Sequence, residues 1–146
     1  MILNESKGNL FELDNKYALA HCTSEDCEMG KGIAVEFDKK FRGMKNYCKR
    51  VVEYDNLSFP CVIHYSNNYQ SVFNLVTKKS YYGKPTYTTI TKCISEMAYM
   101  CRQFNIRYLG IPKLGCGLDR LQWGRVRDII QEEFKDIDIE IEVRYL

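Results

Sequence analysis

With 146 residues the chain has the length of one domain, and enough material to bury a core without disulfide or metal staples. It is 45% hydrophobic and 27% charged, an ordinary globular balance, and a formal charge of +2 argues against a broad electrostatic footprint for nucleic acid. Seven scattered cysteines, an odd number with no Cys-x-x-Cys pair, argue against a disulfide framework or a zinc site and for a reducing compartment. No segment has the order of a signal peptide and no apolar run approaches membrane-spanning length, so a cytoplasmic location with no membrane partner is expected.

The chain opens with a short apolar strand around Ile2 and Leu3, followed by Gly8-Asn9-Leu10-Phe11. Tyr17-Ala-Leu-Ala-His-Cys22 is nearly continuous in apolar character, as expected of a strand buried on both faces. A polar loop ending in Gly30-Lys-Gly32 leads to a helix with Ile33, Phe37 and Phe41 on one face, and Gly43 reads as its stop. Cys61-Val-Ile-His-Tyr65 and Val72-Phe-Asn-Leu-Val76 form a strand pair joined by the turn-forming Ser66-Asn-Asn68. After Pro85, helical spacing over residues 86–104 joins Ile90, Cys93, Ile94, Met97, Cys101 and Phe104. Residues 107–111 form a strand that enters a second glycine loop around Gly115 and Gly117. Trp123, Val126, Ile130 and Phe134 give the next helix a buried stripe, and the alternation from Ile139 to Tyr145 describes a strand with one face in water.

Strands alternating with helices imply an α/β layered sandwich with a mostly parallel sheet, whose ligands bind outside the carboxyl ends of the strands. Both glycine loops and Lys78 fall at such ends, which makes one shared site. Glycine lets the backbone turn its amides toward an anion, and a following helix adds its positive end. Two such cradles suit a diphosphate. Gly30-Lys-Gly32 is not a dinucleotide fingerprint, because Val35 stands where the third glycine belongs, and a triphosphate-binding loop is absent.

Lys78, beside Lys79, reads either as half of a solvated basic pair or as a nucleophilic amine freed by a neighbouring cation and partial desolvation. Asp119 reads either as a proton-handling carboxylate or as a helix cap, with Gln122 completing a capping box. His21 and His64 fall inside strands, where packed and hydrogen-bonded roles are expected, and no grouping resembles a metal site.

Taken together these segments resemble a macro domain, and within that family the terminal ADP-ribose protein glycohydrolases, which release ADP-ribose from modified acceptors. The resemblance covers residues 8–146. It is carried by Ala20-His-Cys-Thr-Ser-Glu-Asp-Cys-Glu-Met-Gly-Lys-Gly-Ile-Ala34, Val76-Thr-Lys-Lys79, Lys84-Pro-Thr-Tyr87 and Ile111-Pro-Lys-Leu-Gly-Cys-Gly-Leu-Asp-Arg-Leu-Gln-Trp123. It implies a single macro domain over residues 1–146, a three-layer α/β/α sandwich with a mixed, mostly parallel sheet. It implies that ADP-ribose is held by Asn9, Leu10, Ser24, Met29, Gly30, Gly32, Ile33 and Ala34 on one side. Leu114, Gly115, Cys116, Gly117 and Leu118 are implied on the other. Lys78 matches the family's catalytic lysine, which attacks C1″ of the distal ribose, and Asp119 matches the acid that releases the lysine-linked intermediate. No cofactor or metal is implied. The implied partners are ADP-ribose and ADP-ribosylated proteins, with Glu or Asp esters and O-acetyl-ADP-ribose as substrates and a monomer as the working unit.

The chain departs from the family at three points. Asn9 stands where many macro domains carry an Asp that accepts the adenine amine. The Asn-Ala-Ala-Asn and Gly-Gly-Val-Asp-Gly runs of the larger macro hydrolase class are missing, which disfavours that class's water-based mechanism. The sequence ends at Leu146 without a C-terminal helix, which puts Tyr145 or Leu146 near the adenine. Three other readings stay open: a non-catalytic ADP-ribose reader, a hydrolase of ADP-ribosylated nucleic acid, and an ADP-ribose-1″-phosphate phosphatase.

Overall fold

The computed structural model describes all residues, 1–146. Six strands form one sheet: β1 (Ile2–Lys7), β2 (Ala18–Ser24), β3 (Cys61–Ser66), β4 (Ser71–Lys78), β5 (Tyr108–Ile111) and β6 (Glu140–Tyr145). Four helices join them: α1 (Ile33–Lys40), α2 (Met44–Tyr54), α3 (Tyr87–Gln103) and α4 (Trp123–Phe134). The strand order is β1-β6-β5-β2-β4-β3, with every neighbour pair parallel except the β3–β4 hairpin. This is the mixed, mostly parallel sheet expected of an α/β sandwich.

Side-chain alternation along the central strands sorts residues between two cores. Ala18 and Ala20 of β2 and Phe73 and Leu75 of β4 pack with Ile90, Ile94 and Met97 of α3 and with Val126, Ile130 and Phe134 of α4. Leu19, Val72 and Val76 face the other way, onto Phe37 of α1, Phe41, and Met44 and Cys48 of α2. The sheet is therefore sandwiched between two helical layers. No helix is long and apolar enough to cross a membrane.

Residues 44–54 form a helix that the periodicity reading does not include, with Met44 and Cys48 buried. Gly43, read as a stop, also starts this second helix: its φ of +89° turns the chain directly from one helix to the next. β6 also differs from expectation. Ile141 and Val143 are fully buried, but Glu142 and Arg144 on the other face are only partly in water, because β6 lies inside the sheet between β1 and β5.

Candidate active site

Five parallel strands end at the same side of the sheet, so their following loops line up in strand order. From one edge these are Gly8-Asn9 after β1, Tyr145-Leu146 at the end of β6, residues 112–122 after β5, residues 25–32 after β2, and Lys78 at the end of β4. Four strand-to-strand steps span about 19 Å, which gives the row the shape needed for an elongated ligand.

The first glycine loop is built to offer amides. Cys27, Met29 and Gly32 all have positive φ, and Gly32 (φ +62°, ψ −148°) adopts a conformation open only to glycine. The backbone N–H groups from Glu28 to Ala34 donate to no acceptor within the chain, including those of Ile33 and Ala34 in the first turn of α1. A row of unpaired amides at a helix start is an anion cradle. Its base is fixed to the neighbouring strand end, since Glu25 N–H donates to the Lys78 carbonyl at 2.9 Å.

The second loop is held from outside. Lys84 Nζ donates to the Leu118 carbonyl at 2.8 Å, and Gln122 N–H donates to the Tyr87 hydroxyl at 2.9 Å. Gly115, with φ +72°, receives Leu121 N–H on its carbonyl at 2.8 Å, and a Cβ there would come within 2.9 Å of Ile90 and Leu121. A Cβ on Gly117 would meet nothing within 4 Å, which leaves a close approach open to a ligand. The amides of Gly117, Leu118 and Asp119 also donate to nothing in the chain, while that of Gly115 is directed to the Cys22 thiol.

Between the loops, Lys78 Nζ donates to Asp119 Oδ1 at 2.8 Å, with the two side chains only 15% and 14% exposed. This pairing corrects two expectations. Asp119 does not cap a helix: α4 begins at Trp123, and its N-cap, Gln122, makes no side-chain cap bond. The nearest charge to Lys78 is a carboxylate and not the neighbouring Lys79, whose Nζ lies 5.7 Å from the Phe59 ring centroid. Asp119 is therefore placed to take a proton from Nζ.

The thiols nearby are poor competitors for the role of nucleophile. Burial, reinforced by the charge of Asp119, pushes the Cys22 thiol up to about 12, and burial pushes Cys116 up to about 11. His21, fully buried and lowered to about 4 by desolvation, pairs Nε2 with Asn74 Oδ1 at 2.6 Å and stacks on Phe37 at 4.1 Å. His64 is likewise lowered by burial, between Phe73 and Phe104. Both histidines pack as expected, but only His21 is also hydrogen-bonded, His64 Nε2 being buried without a partner.

The remaining residues divide by what they offer. Leu10, Met29, Ala34 and Leu114 are buried, which leaves only their backbone for a ligand. Ser24 is buried with its hydroxyl donating to Asp26, so its side chain braces the first loop. Cys116 directs its thiol to the Leu114 carbonyl, Ile33 packs half-buried against the core beneath α1 and α2, and Leu118 is exposed with its Cδ1 3.6 Å from where a Cβ on Gly32 would stand. Asn9 Oδ1 accepts from Phe11 N–H at 2.9 Å, and Gly8 N–H donates to the Tyr145 carbonyl at 2.8 Å, so the first two strand ends of the row adjoin. Lys84, Tyr87 and Asp26 brace the loops; all three lie in the motifs that carry the family resemblance, though the sequence alone gives them no role. A separate depression of about 250 Å³, lined by Tyr17, Asn67 and Gln70, lies at the opposite end of the sheet from this chemistry.

The model of the family described as "Macro domain" matches residues 20–130. The chain belongs to the macro domain family. The ADP-ribose glycohydrolase OARD1 of Homo sapiens is 40% identical over 137 residues, covering 94% of this chain and 87% of that protein. Its counterpart in Bos taurus matches equally well. Among solved structures, the macrodomain of Thermus aquaticus DarG superposes with a TM-score of 0.89 at 23% identity, covering 99% of both chains. That of Mycobacterium tuberculosis DarG does so at 0.90 and 20%, covering 99% of this chain and 98% of that one. At those identities the two structures speak for the macro-domain fold, a three-layer sandwich, and the chain's own loops speak for its chemistry.

Proposed function

We propose that this macro domain is a hydrolase that binds ADP-ribose and releases it from carboxylate esters, on Glu or Asp side chains and on acetate. The observation that carries this reading is the Lys78–Asp119 pair, 2.8 Å apart at the end of β4 and flanked by two loops of unpaired amides. The 40% identity to an ADP-ribose glycohydrolase supports it. The two cradles bind the pyrophosphate, and the row of strand ends leads from Gly8, Asn9 and Tyr145 at the adenine side to Lys78 at the distal ribose. All seven cysteines are free, which fits a cytoplasmic protein, and we take a single chain as the working unit.

In the reaction the Lys78 ammonium loses a proton to solvent, directly or by way of Asp119, and the lone pair of the amine attacks C1″. The bond from C1″ to the acceptor oxygen breaks, and the acceptor leaves as a carboxylate, a good leaving group that needs no protonation. In the second half Asp119, a carboxylate, takes a proton from the water that adds at C1″, the C1″–N bond breaks with its electron pair returning to nitrogen, and Asp119 passes that proton to the freed amine. A reader needs no such buried ion pair between its cradles, so the pair favours hydrolysis over simple binding.

The test is intact-protein mass spectrometry of wild type and Asp119→Ala, each incubated with a Glu-linked ADP-ribosylated protein. The variant is expected to gain one ADP-ribose unit that maps to Lys78. A wild type that leaves the substrate intact, with no adduct on either protein, rules the mechanism out.

A further inference from the structure

The segment from Ser80 to Lys84 leaves the end of β4 and turns back through a Gly83 N–H to Ser80 carbonyl bond of 3.0 Å. It is pinned on both sides. Tyr81 N–H donates to Asp26 Oδ2 at 2.9 Å in the first glycine loop, and Lys84 Nζ holds the Leu118 carbonyl in the second. The segment thus bridges the two ligand loops beside Lys78.

On this fixed bridge stand two tyrosines, 52% and 78% exposed, with ring centroids 5.2 Å apart in an edge-to-face pair. Neither packs against either core. Leu118, 60% exposed, stands on the facing loop, so three of the ten exposed large hydrophobic residues cluster at the mouth of one ion pair. Solvating aromatic rings on a braced loop gives nothing to folding, and rigid tyrosines lose little entropy on making a contact. Lys84 and Arg120 are exposed at the same mouth, and neither forms an ion pair.

Resting on the hydrolase reading above, we propose that Tyr81 and Tyr82 form the acceptor platform, on which the polypeptide carrying the modified carboxylate lies. With C1″ at Lys78, the acceptor leaves the cleft on the side of this bridge. The tyrosine rings take the peptide backbone and side chains, and Lys84 and Arg120 face further carboxylates beside the modified one. Tyrosine and arginine at a rigid rim are the residue types that anchor protein partners. A nucleic-acid strand needs a longer run of cations than this rim provides.

The test compares wild type, Tyr82→Ala and Tyr81→Ala/Tyr82→Ala on three substrates: an acidic peptide with Glu-linked ADP-ribose, O-acetyl-ADP-ribose, and an ADP-ribosylated single-stranded oligonucleotide. Acetate is too small to reach the tyrosines. The double variant is expected to lose about tenfold in kcat/KM on the peptide, mainly through KM, and to be unchanged on O-acetyl-ADP-ribose. The single variant is expected to fall between. Equal rates on the peptide, equal losses on all substrates, or a loss confined to the oligonucleotide each overturn the platform. Titration in a Lys78→Ala background separates this inference from the mechanism it rests on. There the modified peptide should bind about tenfold tighter than free ADP-ribose, and the advantage should vanish in the double tyrosine variant. Equal binding of peptide and free ADP-ribose without the tyrosine changes overturns the platform even if no turnover is ever seen.

Discussion

The two glycine loops at the ends of β2 and β5 look alike in sequence and are built differently. The first, residues 25–32, spends its backbone: consecutive amides are left unpaired, and positive φ at Cys27, Met29 and Gly32 turns the chain sharply. The second, residues 112–122, spends other elements. Lys84, Tyr87 and Lys78 each reach it from the β4–α3 segment, and Lys78 and Asp119 form the pair to which the proposed chemistry is assigned. Both loops offer unpaired amides to an anion, and the second is also shaped to hold a reacting group in register with the strand beside it. Changes in the first should therefore appear in affinity, and changes in the second in turnover.

The largest expected effect tests that division directly. Lys78→Ala removes the proposed nucleophile but none of the amides proposed to bind phosphate, so turnover should fall roughly a thousandfold or more. Calorimetry should find its affinity for ADP-ribose little changed. A comparable loss of affinity would mean that the lysine is a binding residue and that the two loops are not separable.

Next in size is a pH effect on the foundation of the first loop. His21 lies on β2 against Phe37 of α1, the helix that the first loop starts. Its folded value near 4 is below its ordinary 6.5, so the unfolded chain binds the extra proton first. Stability is complete above the ordinary value and drains away as pH falls from 6.5 toward 4. The total loss from this group is on the order of 3 kcal/mol. Urea unfolding at several pH values should show that slope in wild type and a flatter one in His21→Gln. Equal slopes would remove His21 from the account.

How much of this was legible before the structure depends on whether the partners are near in sequence. The strands, the helices over 87–103 and 123–134, and both glycine loops announce themselves through periodicity and punctuation, which are local signals. α2 did not, because Gly43 reads as an end whether or not another helix follows, and the apolar face from Met44 to Val51 is short and crowded by cations. Asp119 shows the same limit at the site. A carboxylate just before a helix and three residues from Gln122 satisfies the pattern of a cap, and only the fold brings it to Lys78, 41 residues away. The bracing roles of Asp26, Lys84 and Tyr87 are tertiary in the same sense.

Gly32→Ala should sharpen the comparison from the other side. The φ, ψ pair at Gly32 is closed to alanine, so the loop must deform or carry strain on the order of 2 kcal/mol. A Cβ there has room, with Leu118 Cδ1 at 3.6 Å, so crowding contributes little and the cost is conformational. Affinity for ADP-ribose should fall roughly tenfold or more, while the variant that is bound still turns over at near the wild-type kcat. A fall in kcat with unchanged affinity would show that the first loop also sets the reacting geometry.

The smallest predicted effect probes the bracing of the second loop. Tyr87 accepts Gln122 N–H at the entrance to α4, where no side chain caps the helix, and its ring lies 3.7 Å from the Arg125 guanidinium carbon. Tyr87→Phe keeps the ring and its cation contact and deletes only the acceptor, so stability should drop by about 1 kcal/mol. Because that bond helps fix the chain three residues beyond Asp119, kcat should fall a few-fold while ADP-ribose affinity holds, since the amides of the first loop are untouched. Tyr87→Leu removes the cation contact as well and should destabilise further without a matching further loss in kcat. If the two substitutions instead lower kcat in proportion to stability, the hydroxyl serves the fold at large, and the second loop owes its register to Lys84 and Lys78 alone.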